Sequence, residues 1–193
     1  MKEYFEKWCC LIIFFNKKDE RNTTAGVLEN EYQNNKHIIQ IANAIPCTKH
    51  VYHSKFAGLG DSIEGKVSQF EIDDNNKVLQ RLKAFELAFS MGFRKVILIG
   101  NDMPGIEVKH LEEAFNSLKI IEFCIGPKKF GGFYLLGMNY FEPSIFYQMQ
   151  IDSPTVIKNF IRDIGKIKKA LYKLPVLTPS PVIPEIIGEQ TLL

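Results

Sequence analysis

The sequence predicts a three-layer α/β/α fold, a mostly parallel sheet covered by helices on both faces, forming one domain over residues 1–177. Three observations predict it. Short runs such as CCLIIFF (9–15) and KVILIG (95–100) are apolar at nearly every position, as strands buried on both faces must be. Other segments repeat apolar residues at steps of three and four, the stripe of an amphipathic helix. The two kinds alternate, which calls for crossover connections and hence parallel strands.

In chain order, CCLIIFF is the first strand and the polar stretch NKKDERNTTAG follows it. A helix then runs to about Ile45 on Leu28, Tyr32, Ile39 and Ala42. KHVYHS (49–54) is a short second strand, and the glycine-rich KFAGLGDSIEGK (55–66) a loop. Asp73, Asp74 and Asn75 offer caps to a helix with the stripe Val78, Leu82, Phe85, Phe89, which Gly92 ends. KVILIG is the next strand, and Val108, Leu111, Phe115 and Leu118 mark the next helix. IIEFCIG (120–126) and GGFYLLGMN (131–139) are two further strands. Ser153-Pro154 starts a last helix, whose apolar face is Ile157, Phe160, Ile161, Ile164 and Leu171, and KLPVL (173–177) closes the sheet. The tail, residues 178–193, holds Pro179, Pro181 and Pro184 and is expected to be extended.

Composition narrows the function classes. The chain has 193 residues, 46% hydrophobic and 24% charged, enough for one soluble domain with a sizeable core. Its 24 basic and 22 acidic residues are interspersed, so no surface for nucleic acid is expected. The most basic segment, IGKIKKALYK (164–173), reads as a solvated helix face. No apolar run approaches the ~20 residues of a membrane span. Lys2 and Lys7 precede CCLIIFF, but NKKDER follows where a signal peptide would have its small-residue cleavage site. Four cysteines, two of them adjacent, suit free thiols in a reducing cytoplasm. Cys47, His50 and His53 are spaced by three, which in a strand sends neighbours to opposite faces and argues against zinc.

Two stretches carry candidate chemistry. In VILIGNDMPGI (96–106) a strand runs into Gly100, Asn101 and Asp102. The carboxyl ends of parallel strands are where open α/β sheets bind ligands. One aspartate there suits magnesium, which takes one or two protein carboxylates and completes its shell with water and phosphate oxygens. Equally, Asp102 suits a plain turn or the cap of the helix starting near Glu107. In IGPKKFGGFYLLGMN (125–139), the pair Gly131-Gly132 allows close backbone approach by a ligand, or builds a hairpin or bulge.

Together, AFELAFSMGFRKVILIGNDMPGI, LEEAF and IGPKKFGGFYLLGMN resemble a bacterial family, domain of unknown function 2064. Its members are glycosyltransferase-like proteins linked in some genomes to arsenosugar biosynthesis. Wider relatives are GT-A-fold nucleotide-diphospho-sugar transferases and the phospholactate and molybdenum-cofactor guanylyltransferases. The resemblance spans about residues 78–177 and implies a GT-A-like (Rossmann-like) fold. It implies Asp102 as the metal or diphosphate aspartate, with magnesium or manganese as the cation. Gly131 and Gly132 would line the acceptor side. Asn101 and Tyr134, beside these motifs, are further candidate substrate contacts, although Tyr134 suits the core as well. IDSPT stands where the family has Trp-Ser-Thr, which makes Asp152 a second catalytic candidate and Ser153 an acceptor contact, although both also suit helix caps.

The chain departs from the family in three further places. NKKDERNTTAG replaces the nucleotide loop Lys-x-Pro-x-x-Gly-x-x-Lys-Thr-Arg, leaving Lys17 and Lys18, with Arg21, to supply its charge. Phe130 replaces an acidic residue before the glycine pair, and TPSPVIPE replaces a closing Asp-x-Asp-Thr. The implied activity is metal-assisted transfer of a sugar from a nucleotide-diphosphate donor to a small-molecule acceptor. A nucleotidyltransferase releasing pyrophosphate is the alternative on the same fold. The departures also admit a non-catalytic protein that binds only a ligand or a partner.

Overall fold

The structure is a computed structural model that describes residues 7–15, 25–53, 60–72, 76–151 and 153–178, with 25–28 and Gly60 as backbone alone. The strands are β1 (Cys9–Phe15), β2 (Thr48–His53), β3 (Val67–Glu71), β4 (Lys95–Gly100), β5 (Phe123–Pro127), β6 (Phe133–Met138) and β7 (Leu171–Lys173). The helices are α1 (Ala25–Ala44), α2 (Lys77–Ser90), α3 (Val108–Ser117) and α4 (Val156–Lys166).

The seven strands of the described residues form one sheet in the order β3-β2-β1-β4-β6-β5-β7. β1 runs parallel to β2 and β4, β2 to β3, and β5 to β7. β6 alone is reversed, antiparallel to both β4 and β5. The sheet is therefore mostly parallel, as the alternating elements require.

β1 shows why its sequence is apolar throughout. Leu11, Ile13 and Phe15 face one core with Ile38 and Ile41 of α1 and Leu111 and Phe115 of α3. Cys10, Ile12 and Phe14 face the other, with Phe85 and Ala88 of α2 and Phe160 and Ile164 of α4. Alternate residues thus enter two separate cores, and no position is left for a polar side chain. All four cysteines are free and buried. Among the described residues no helix is long and apolar enough to cross a membrane.

Several expectations are corrected. β3 is a strand the sequence hides: VSQFE lies at the sheet edge, half-exposed, with no apolar run to mark it. Tyr32, expected on the buried stripe of α1, is 60% exposed; the buried stripe is Ile38, Ile41, Ala42 and Ile45. The expected caps of α2, residues 73–75, lie outside the described residues, and Asn76 makes the cap, accepting from the backbone N–H of Val78 and Leu79 at 3.0 and 3.1 Å. Leu171 belongs to β7 and not to the last helix, which stops at Lys166. Lys168 follows with φ 56°, a left-handed residue that turns the chain into the strand. β7 accordingly ends at Lys173, and only Leu177 of the expected KLPVL strand pairs again, through a bridge to Lys128. Ile161, expected on the apolar face of α4, is 45% exposed.

The zinc trio is split, as its spacing implies. Cys47 lies in the core under α1, while His50 packs edge-on to Phe70 and Phe93 on the other face. His53 shares a hydrogen bond with Gln69 Oε1 at 3.1 Å.

Candidate functional site

The reversed strand assembles the site. Because β6 runs opposite to β4 and β5, its first residues lie beside their last ones. The loop after β4, the turn after β5 and the glycine pair before β6 therefore meet at one sheet edge. They border a cleft of about 480 Å³, closed on its other sides by α1 and the start of α2.

At the end of β4 the ladder continues one residue further, the N–H of Asn101 donating to Phe14 O at 3.2 Å. The Asn101 amide turns inward, is 5% exposed, and donates to Asn35 Oδ1 of α1 at 2.8 Å. Asn101 borders the cleft and its amide also serves as a buried strut that ties the loop to the cleft wall. Asp102 points outward instead, its side chain 57% exposed. Gly100 gives the carboxylate room, since a Cβ there would lie 3.1 Å from Asp102 Oδ1. Met103 and Ile106 then plug the loop back into the core.

Asp102 does not cap α3. Glu107 holds that position, its N–H donating to His110 Nδ1 at 2.9 Å. Burial lowers the His110 pKa, which keeps Nδ1 free to accept. Asp102 pairs with the ammonium of Lys128, whose side chain is only 14% exposed. Lys128 reaches it from the turn after β5, where its own N–H donates to Gly132 O at 3.1 Å.

The glycine pair serves the backbone first. Gly131 and Gly132 have φ +104° and +76°, the region that favours glycine. A Cβ on Gly131 would also lie 2.9 Å from Pro154 Cα, so this turn packs directly on the chain entering α4. Both glycines still border the cleft.

Tyr134 sits in a bulge. Pro127 pairs with Phe133 and Gly126 with Leu135, which leaves Tyr134 as the extra residue. Its ring lies across Gly126, and its hydroxyl donates to Pro175 O at 3.1 Å. Tyr134 borders the cleft as a fixed wall with its polar atom already engaged. Ser153 lines a neighbouring groove and accepts from the N–H of Thr155 at 3.2 Å, a turn just ahead of α4; the cap position of that helix falls to Thr155 and not to Ser153 as expected. Asp152, Lys17 and Lys18 lie outside the described residues.

Two cations held by the fold at the cleft lie outside the residues that the sequence predicts for the site. One is Lys128, hidden in the glycine motif. The other is Arg81 of α2, which is 8% exposed and borders the cleft. Its Nη1 donates to Lys77 O at 2.8 Å and its guanidinium lies 5.2 Å from the centre of the Phe14 ring. Its spacing was the available signal, because Arg81 falls three residues after Val78 and four before Phe85, on the apolar stripe itself. Among the described residues, Lys77, Arg81 and Lys128 face the cleft against the carboxylates of Glu31 and Asp102. The lining favours an anion. Phe130 stands at the rim, 72% exposed.

Comparison with known proteins agrees with this architecture. A proposed nucleotide-diphospho-sugar transferase from Desulfovibrio desulfuricans G20 is similar, with TM-score 0.74 and 18% identity over 91% of this chain and 82% of that one. A 4-diphosphocytidyl-2C-methyl-D-erythritol synthase from Anaerococcus prevotii DSM 20548 has TM-score 0.58 and 9% identity, over 95% of this chain and 92% of that one. A CMP:2-keto-3-deoxy-manno-octonic acid synthetase, seen in complex with CTP, has TM-score 0.51 and 8% identity, over 89% and 90%. At such identities the likeness is one of fold. No curated protein matches the chain. Residues 47–153 match the family described as "Uncharacterized protein conserved in bacteria (DUF2064)". That match spans β2 to the entry of α4, more than half of the chain, and the protein belongs to the DUF2064 family.

Proposed function

We propose that the protein is a transferase of the nucleotide-diphospho-sugar type, which takes the diphosphate of its donor in the cleft and passes the sugar to a small-molecule acceptor. One observation carries this reading: Lys128 and Arg81, two cations held in place by the fold, face one cleft at the sheet edge where α/β proteins bind ligands. A volume of about 480 Å³ suits a ligand of this size. A diphosphate gains charge as it leaves, and positive groups already in position stabilise that charge without reorganising. Partial burial strengthens them, because water screens less there. Asn30 and Asn34, one turn apart on α1, offer amides to the nucleoside from the facing wall.

The family resemblance implies magnesium or manganese at Asp102. The side chains present do not fit a resident ion well. Asp102 already holds the Lys128 ammonium, and Phe130 beside the glycine pair offers no oxygen. Among the described residues no three His, Cys, Asp or Glu side chains gather as a ligand set. No step of the proposed reaction runs through a metal.

The test is a thermal-shift series with UDP, GDP, CDP and dTDP and their sugar conjugates. A ligand at a hundred times its Kd stabilises by about 2.7 kcal/mol, a readable rise in Tm. A shift with one nucleotide sugar, followed by release of its nucleoside diphosphate on turnover, supports the reading. No shift with any of them refutes it. Lys77, Arg81 and Lys128 together also suit a triphosphate, the substrate class of the nucleotidyltransferase alternative. Pyrophosphate released from CTP or GTP would favour that alternative.

A further inference from the structure

We infer that Lys128 takes the place of a divalent cation at Asp102, so that the protein binds a nucleoside diphosphate without metal. The inference rests on the nucleotide reading above and specifies how that site meets its anion.

Position comes first. The ammonium sits against Asp102 Oδ2 just beyond the carboxyl end of β4, the sheet edge at which α/β folds bind ligands. It carries three N–H donors, and one directed at Asp102 leaves two for phosphate oxygens. Immobility comes second. The backbone of Lys128 is held on one side by its bond to Gly132 O and on the other by its bridge to Leu177. Leu177 is itself fixed, its N–H donating to Pro127 O at 3.1 Å and its carbonyl accepting from Lys129 N–H at 2.9 Å. The Lys128 stem lies over Gly132, with Cδ 3.9 Å from where a Cβ would stand. This ammonium is a placed charge and not a surface lysine free to swing, and a placed charge binds an anion at a smaller entropic cost.

Exclusion comes third. A divalent ion at Asp102 would have to displace the ammonium and then remain beside it, and like charges at such range repel strongly in a partly buried cleft. Arg81 supplies the second positive charge that a diphosphate needs, from the α2 wall.

Isothermal titration of the full chain with UDP, GDP, CDP and dTDP, in EDTA and in manganese, tests the inference. At least one should bind in EDTA with a Kd within about threefold of its value in manganese. Lys128→Met should weaken binding in EDTA by about tenfold or more, the loss of a charge-assisted contact, and manganese should restore part of it by occupying the vacated carboxylate. Lys128→Arg, which keeps the charge, should recover metal-free binding relative to Lys128→Met. The circular dichroism melt of each variant checks its folding, and the wild-type comparison stands even if a variant does not fold. A wild-type protein that binds a nucleotide about tenfold better with manganese overturns the internal cation while leaving the nucleotide reading intact. Unchanged binding by folded Lys128→Met in EDTA overturns it as well. Failure of all four nucleotides in both buffers overturns both readings.

Discussion

The amide of Asn101 donates to the side-chain oxygen of Asn35 at 2.8 Å, joining the end of β4 to the middle of α1 inside the protein. Both residues are nearly inaccessible to water. The bond fixes the distance between the loop that carries Asp102 and the helix that carries Asn30 and Asn34. Asn101→Ala should cost about 1–3 kcal/mol, because the Asn35 oxygen stays buried after its donor is lost. Asn35→Ala should cost a similar amount, and the double variant clearly less than the sum. Urea unfolding of the three variants measures this, and strictly additive costs would show that the pair does not act as a unit.

Gly131 and Gly92 share a left-handed backbone, with φ +104° and +89°, but not a neighbourhood. A Cβ on Gly92 would meet nothing within 4 Å, whereas one on Gly131 would lie 2.9 Å from Pro154 Cα. Gly92→Ala should cost the conformational penalty alone, about 1 kcal/mol. Gly131→Ala adds a backbone clash that only a shift of the chain entering α4 can relieve, and should cost about 2 kcal/mol or more. Denaturant midpoints of the two variants compare them directly, and equal losses would contradict the close approach seen at Pro154.

The legible parts of this fold were those whose burial leaves a periodic mark. β1 and β4 enter two cores, so their sequences are apolar throughout, and α2 and α3 bury one stripe each. β3 left no mark, because an edge strand with three half-buried and two exposed residues needs no apolar pattern. Leu171 kept helical spacing with α4, yet the left-handed turn at Lys168, which no residue type signals, puts it in a strand. At the site, Asp102 and the glycine pair were readable because turns and strand ends use few residue types. Lys128 was not, since its meeting with Asp102 depends on β4 and β5 ending at the same sheet edge with β6 between them, which brings together residues 26 positions apart.

His50 predicts a pH dependence. It is fully buried between Phe70 and Phe93, and neither ring nitrogen has a hydrogen-bond partner among the described residues. Burial alone pulls its pKa from 6.5 down to about 4. The unfolded chain therefore takes up a proton that the folded chain refuses until near pH 4. The contribution of His50 is complete above pH 6.5 and is lost as pH falls toward 4, by at most about 1.4 kcal/mol per pH unit. His50→Phe keeps a ring between its two aromatic neighbours and removes the proton. Urea midpoints at pH 7 and pH 5 should differ less in this variant than in the wild type, and an equal difference would place the acid sensitivity elsewhere.

Arg81 separates binding from stability. Its stem packs in the apolar stripe of α2, and its guanidinium lies over Phe14 at the cleft. Arg81→Met keeps most of that packing while removing the charge. Its melting curve should therefore move little, a loss of about 1 kcal/mol, since Phe14 gives up only a cation–π contact. Affinity for a nucleoside diphosphate should fall by about tenfold, as expected when a charge-assisted contact to phosphate disappears. Arg81→Lys should recover less than half of the loss in free energy, because a point charge on a flexible stem cannot replace a planar fork held by the Lys77 carbonyl. Calorimetric titration beside a thermal melt reads both quantities from one preparation. A large loss of stability with unchanged nucleotide affinity would make Arg81 a core residue and remove it from the site.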